Sequence, residues 1–234
     1  MNKILAAANA QEFKIALARI DIHVPARTAG RKKDQTERYS IAHLMASLPA
    51  EEISFPLCLN HQERPDFVLH MTSSEIGIEH IEAVPENHVR ASIFRQNGVG
   101  PKVHLLQRHR PGESSRSNNV ILSEINKDKA GPPWVGNEVE VEWADVMLHC
   151  VKGKIETLNK AGFTKFESNW LLIYNNWPMP GVHHAEASAM LADSCISEGL
   201  LNEFSRIFVL DSKVLCEISK ITRLHPVREP SAVA

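Results

Sequence analysis

A chain of 234 residues is long enough for one sizeable core and short for two full domains, and its formal charge of −2 excludes a globally basic nucleic-acid coat. Its composition, 43% hydrophobic and 23% charged, is that of a folded protein rather than a disordered one. No apolar run reaches the roughly 18–20 residues a membrane span needs, and the four scattered cysteines form no Cys-x-x-Cys pair. Reduced thiols in a cytoplasmic protein are therefore expected, without a disulfide framework or structural zinc.

The opening MNKILAAANAQEFK is too weak and alanine-rich for a signal peptide and reads as the start of a helix over 9–21. A polar loop broken by Pro25 and Gly30 leads to a second helix, 34–48, in which Ile41, Leu44, Met45 and Leu48 share a stripe. Three strands follow: ISFPLCLN, demoted to an edge or bulge by Pro56, then DFVLH and IGIEHIEAV. Their short connections predict an antiparallel meander. Residues 85–98 read as a helix. The stretch of about 99–137, with Pro101, Pro111, Pro132 and Pro133, reads as a long, partly ordered insertion.

A strong helix is predicted from Glu138 to Ala161 with Gly162 as its cap. NWLLIY (169–174) reads as a strand buried on both faces, residues 184–202 as a helix, and RIFVLD and VLCEI as a final strand pair. The tail from Thr222 reads as loose.

Chemistry concentrates in ERPDFVLHMTSSEIGIEHIEAV. Asp66 opens one strand and Glu79 lies in the next, twelve residues intervening. Two carboxylates on adjacent antiparallel strands that share a face suffice to hold a hydrated Mg2+ or Mn2+, whose other positions go to water and phosphate. Pro-Asp, a hairpin-length gap and an acid in an apolar strand resemble the PD-(D/E)XK, or restriction-endonuclease-like, nuclease superfamily. PDF…GIE…E, a helix and NWLLIY resemble an uncharacterised bacterial and phage-borne branch of it. The resemblance covers roughly residues 34–175. It implies an α/β fold with an αβββαβ core and a mixed central sheet flanked by helices, in one domain with its core over about 34–220. It also implies metal-dependent hydrolysis of phosphodiester bonds, with nucleic acid, DNA ahead of RNA, as partner.

One departure stands out. The family places a lysine two residues after the acid, where this chain has Ile81. Some members supply that lysine from the neighbouring helix. On the 138–161 helix, Trp143, Met147, Cys150, Val151, Ile155 and Leu158 form the apolar stripe, and Lys154 falls within it. Lys154 is thus the candidate stand-in, with a side chain snorkelling to solvent as the alternative. Glu37, one turn before Ile41, is a candidate additional acid, with a simple first-turn dipole contact as the alternative. For Asp66 a turn position and for Glu79 a solvent-facing strand position are the plain alternatives. His80 and Glu82 lie on the opposite strand face. His183-His184 lacks the His-x-x-x-His spacing of a zinc site and reads as a helix start. Arg108, His109, Arg110 and Arg116 could touch phosphates or form a solvated loop. A nuclease fold that has lost catalysis and serves as a binding or regulatory module is the alternative function.

Overall fold

The computed structural model describes residues 2–160, 162 and 164–230. Eight strands form one mixed sheet whose spatial order follows the chain. These are β1 (Asn2–Ala7), β2 (Leu57–His61), β3 (Phe67–Met71), β4 (Ser74–Ala83), β5 (Ser168–Asn175), β6 (Arg206–Asp211), β7 (Val214–Ile218) and β8 (Arg223–Pro226). The helices are α1 (Ala10–Leu17), α2 (Lys33–Ser47), α3 (Glu86–Gln96), α4 (Asn118–Lys127), α5 (Glu138–Leu158) and α6 (His184–Ser197). β4, β5 and β6 run parallel, which demands the long crossovers that carry α3–α5 and α6; the remaining neighbours are antiparallel.

Alternation along the strands builds two cores. Leu59, Phe67, Leu69, Ile78, Leu172 and Phe208 pack beneath α1 and α2, around Phe13, Ile41 and Leu44. Leu171, Ile173, Ile207 and Val209 face the other way, against Trp143, Met147 and Val151 of α5 and Leu191 of α6. β5 is therefore covered on both sides, as its unbroken apolar run predicts.

Several expectations are corrected. The N-terminal segment is a strand, not a helix start: Leu5 and Ala7 point into the first core, and Asn9 ends the strand by accepting the amide of Glu12, 3.0 Å away, as the α1 cap. β2 begins only at Leu57, because Pro56 has no amide to give the ladder. The stretch read as a partly ordered insertion contains α4, which buries Ile121 and Ile125; Asn87 of α3 binds Glu113 and the Ser114 carbonyl, both at 2.9 Å. α5 stops at Leu158, capped by Asn159, ahead of Gly162, since Leu158 is the last apolar residue of its stripe; Ala161 lies outside the described residues. α6 ends at Ser197, where Gly199 turns left-handed (φ +69°). The tail read as loose supplies β8, and the Arg228 amide donates to Ser47 Oγ at 2.9 Å; residues 231–234 lie outside the described residues.

Burial sorts the cysteines. It pushes the thiols of Cys150 and Cys216 up to about 12 and that of Cys195 up to about 11, whereas Cys58 is half-exposed. Iodoacetamide at pH 8 is expected to modify Cys58 alone in the folded protein and all four thiols after urea unfolding, as intact mass would record. Rapid native labelling of Cys195 would contradict this packing.

Candidate functional site

The β3–β4 register places the two acids. Phe67 pairs with Ile78, so Asp66, one residue before β3, lies opposite Glu79 of β4. Phe67 and Ile78 both point into the α1/α2 core. Strand alternation therefore turns Asp66 and Glu79 to the α5 side of the sheet. Both are buried. Lys154, on α5, reaches down to them: its Nζ lies 2.6 Å from Glu79 Oε2 and 3.5 Å from Asp66 Oδ2, with 15% of the side chain exposed. Ile81, on the same strand face as Glu79, packs against the apolar α5/α6 cluster. Position 81 is thus given to packing, and an ammonium reaches the two acids from α5 instead.

A second lysine, not singled out by its sequence, completes the group. Lys33, the first residue of α2, sits 2.9 Å from Asp66 Oδ1 and 2.8 Å from Glu37 Oε1. Glu37 is buried and meets His61 of β2 at 2.9 Å through its other oxygen. The four residues singled out from sequence, Glu37, Asp66, Glu79 and Lys154, are therefore brought together, with Lys33 bridging Glu37 and Asp66. Lys33 follows from the i, i+4 rule once Glu37 is suspected. His61 carried no comparable signal, since its approach depends on the β2 register.

The environments of the two central acids differ. Burial alone would raise the pKa of Asp66, but the Lys154 charge, the His80 amide (2.8 Å to Oδ2) and Lys33 outweigh it and hold the carboxyl below its usual range. Glu79 moves the other way: burial first, then the neighbouring Asp66 charge, raises its pKa despite Lys154. Two facing carboxyls driven apart in this manner can divide the work, one staying ionised and the other exchanging a proton. Glu79 Oε1 is buried and accepts no hydrogen bond, an unsatisfied carboxylate oxygen that a cation would complete.

No family model, curated protein or solved structure matches this chain.

The other candidate groups are placed elsewhere. Arg108 is held by Glu142 at 2.6 Å and Glu138 at 3.2 Å, and Arg116 by Glu113 at 3.0 Å and Glu124 at 2.9 Å. His109 is buried against Glu113, and Arg110 is exposed. Arg108, Arg116 and His109 thus secure the α3–α5 connection through these ion pairs. His183 caps α6 and His184 begins it, its Nε2 lying 3.1 Å from Asp211. Among the described residues, no three His, Cys, Asp or Glu side chains converge as a metal cluster.

Next to the acids the sheet has a notch. β3 starts at Phe67, while β4 runs on to Ala83 with only β5 beside it. The open side of His80–Glu82 faces a cleft of about 460 Å3, walled by Arg27, Arg31–Lys33, Thr36, Val89 and Ile93 of α3, and Lys154. His80 itself is buried on the α2 side, its Nε2 3.1 Å from Ser40 Oγ, and burial lowers its pKa to about 3. The folded state then binds fewer protons than the unfolded chain, whose histidine titrates near 6.5. Stability is therefore full above pH 6.5 and lost as pH falls towards 3, by about 1.4 kcal/mol for each unit of pKa separation traversed. His88, lowered to about 4 by burial, adds in the same direction. Urea midpoints at pH 7 and pH 5 are expected to fall on acidification, and to fall less in His80→Gln. Equal losses in both proteins would contradict this assignment.

Proposed function

We propose that this chain is a metal-dependent nuclease with a restriction-endonuclease-like core, cleaving phosphodiester bonds of nucleic acid, DNA ahead of RNA. The observation that carries the reading is the meeting of Asp66 and Glu79, from neighbouring strands, on the single ammonium of Lys154. The order α2, β2–β3–β4, α5, β5 supports the αβββαβ core, with β1, α1 and the β6–β8 segment built around it.

The pair suits Mg2+ or Mn2+. One cationic centre already lies within reach of both carboxylates, and Glu79 Oε1 has capacity to spare. A divalent cation held by Asp66 and Glu79 supplies Lewis acidity and neutralises charge on the phosphodiester. In this reading Asp66 remains ionised, fixed by the His80 amide and Lys33. Glu79, through the carboxylate oxygen that the cation does not hold, would take a proton from the attacking water. Lys154 orients that water and stabilises the developing negative charge, replacing a lysine at position 81. Glu37 assists by holding Lys33 against Asp66.

Packing of Ile81 into the α5/α6 cluster favours a second reading, a nuclease fold that binds without cutting. Incubation with labelled single-stranded DNA, duplex DNA and RNA separates the two. Cleavage with Mg2+ or Mn2+ that stops with chelator is the expected result. Intact substrates under both metals would leave only the binding module.

A further inference from the structure

Beside the carboxylates, hydrogen-bond donors outnumber acceptors. Glu82, on the α2 side of β4, accepts Arg27 Nη2 at 2.6 Å, Arg31 Nη2 at 3.0 Å and Asn176 Nδ2 at 2.8 Å, all on Oε1. One carboxylate oxygen offers about two lone-pair directions, whereas each guanidinium carries five N–H donors. The two arginines therefore keep donors that Glu82 does not use. Arg31 Nε is one of them, buried and without a partner.

These groups line the notch. The cleft presents Arg27, Arg31, Lys32, Lys33 and Lys154, with Glu82 as its one acidic wall residue. Lys32 makes no ion pair among the described residues. Lys32 caps α2 and Lys33 opens it, at the positive end of the helix, while Asp34, the acid of that first turn, is paired with Arg38 at 3.2 Å. Asp66 and Glu37 serve Lys33; nothing comparable serves Lys32. One buried unpartnered donor, two guanidinium forks and an exposed lysine without an ion pair describe an anion site.

Lys33 and Lys154 belong both to the acid cluster and to the cleft wall, so the two are continuous. A cleft of about 460 Å3 has small-molecule dimensions, roughly 300–1,000 Å3. A duplex is instead bound across an extended surface, on the order of 1,000 Å2 of protein. We propose that this cleft is a phosphate-binding subsite for a single nucleic-acid strand, in which Arg27, Arg31 and Lys32 hold the phosphate adjoining the one at Asp66 and Glu79. The identity of the ligand as a nucleic-acid strand rests on the nuclease reading.

Binding in excess chelator, where no cleavage occurs, tests this with the full chain. Fluorescence anisotropy would compare a labelled single-stranded oligodeoxynucleotide with its blunt duplex. The single strand is expected to bind at least about tenfold more tightly. Arg27→Ala should weaken it about tenfold, the scale of one charged hydrogen bond, and reduce the slope of log K against log salt by about 0.7. Arg27→Lys keeps the salt slope but not the affinity. Glu82→Gln removes the competing negative charge while leaving a neutral acceptor, and should tighten binding several-fold; a merely structural pairing with Arg27 and Arg31 predicts no gain. Thermal unfolding checks that each variant is folded. Equal duplex binding, indifference to Arg27→Ala, or unchanged or weaker binding by folded Glu82→Gln would overturn the subsite. Strand binding without any metal-dependent cleavage would instead overturn the nuclease and leave the subsite standing.

Discussion

Asp66→Asn is expected to lower metal-dependent cleavage on the order of 10³-fold, the scale of removing one preorganised electrostatic contact from a reacting centre. The amide keeps the shape of the carboxylate and can still accept a hydrogen bond from Lys33 or from the His80 amide, so the fold should persist. What disappears is the charge that would face a divalent cation. A stability signature accompanies the loss. Burial opposes ionisation of Asp66, but Lys154, the His80 amide and Lys33 together hold its pKa below the usual range. An acid depressed in the folded state contributes stability above its unfolded pKa and loses it as pH falls through the folded value. The asparagine variant should therefore be less stable than the parent at pH 7, with the gap closing below pH 4, near the ordinary carboxylate value. Gel-resolved cleavage rates and urea titrations at the two pH values read both effects. Cleavage at the parental rate would remove Asp66 from the site.

Lys154→Met carries the second large effect. It leaves Glu79 and Asp66, with side chains 5% and 6% exposed, facing each other without the ammonium between them. Removing one partner of a buried ion pair typically costs about 3–5 kcal/mol. Protonation of Glu79 limits that cost, because its pKa is already raised by burial and by Asp66 and rises further without Lys154. An acid with a raised folded pKa becomes a liability as pH climbs through that value. The variant should thus be hurt more at pH 8 than at pH 5. Added Mn2+ should raise the melting temperature of Lys154→Met more than that of the parent, since a cation restores what the lysine supplied. Cleavage should drop about 10²–10³-fold. Lys154→Arg discriminates the two roles: a guanidinium restores much of the stability but fills the space meant for water, so activity stays low. Full activity in the methionine variant would reduce Lys154 to a structural counter-ion.

How far the sequence alone reaches depends on the range of the interaction. The β3–β4 hairpin is local, and its period-2 pattern brings Asp66 and Glu79 to one face; helical spacing of the α5 stripe likewise aims Lys154 inward. Both were legible because strand alternation and helix period survive without a fold. His61 was not, since it meets Glu37 only once α2 lies over β2, and Lys33, though its i, i+4 pairing with Glu37 is local, reaches Asp66 only through the same packing. β1 was hidden by its alanines, which favour helix by propensity, although Asn9 and Glu12 hold the spacing of a helix cap at the strand's end. β8 was hidden by Pro226, tolerated because the strand lies at the sheet edge and its free side faces outward. The proline-rich stretch before α5 reads as loose by composition. Its order comes from ion pairs and amide contacts to α3 and α5 that no local pattern announces.

The account stands on Asp66 and Glu79 jointly holding one divalent cation. Diffraction at the manganese absorption edge from crystals soaked in Mn2+ addresses it directly. One anomalous peak is expected between the two carboxylates, bonded to Glu79 Oε1 and to an Asp66 oxygen, with Lys154 Nζ withdrawn from the 2.6 Å contact it makes with Glu79. No peak at saturating Mn2+, with that contact intact, would contradict it.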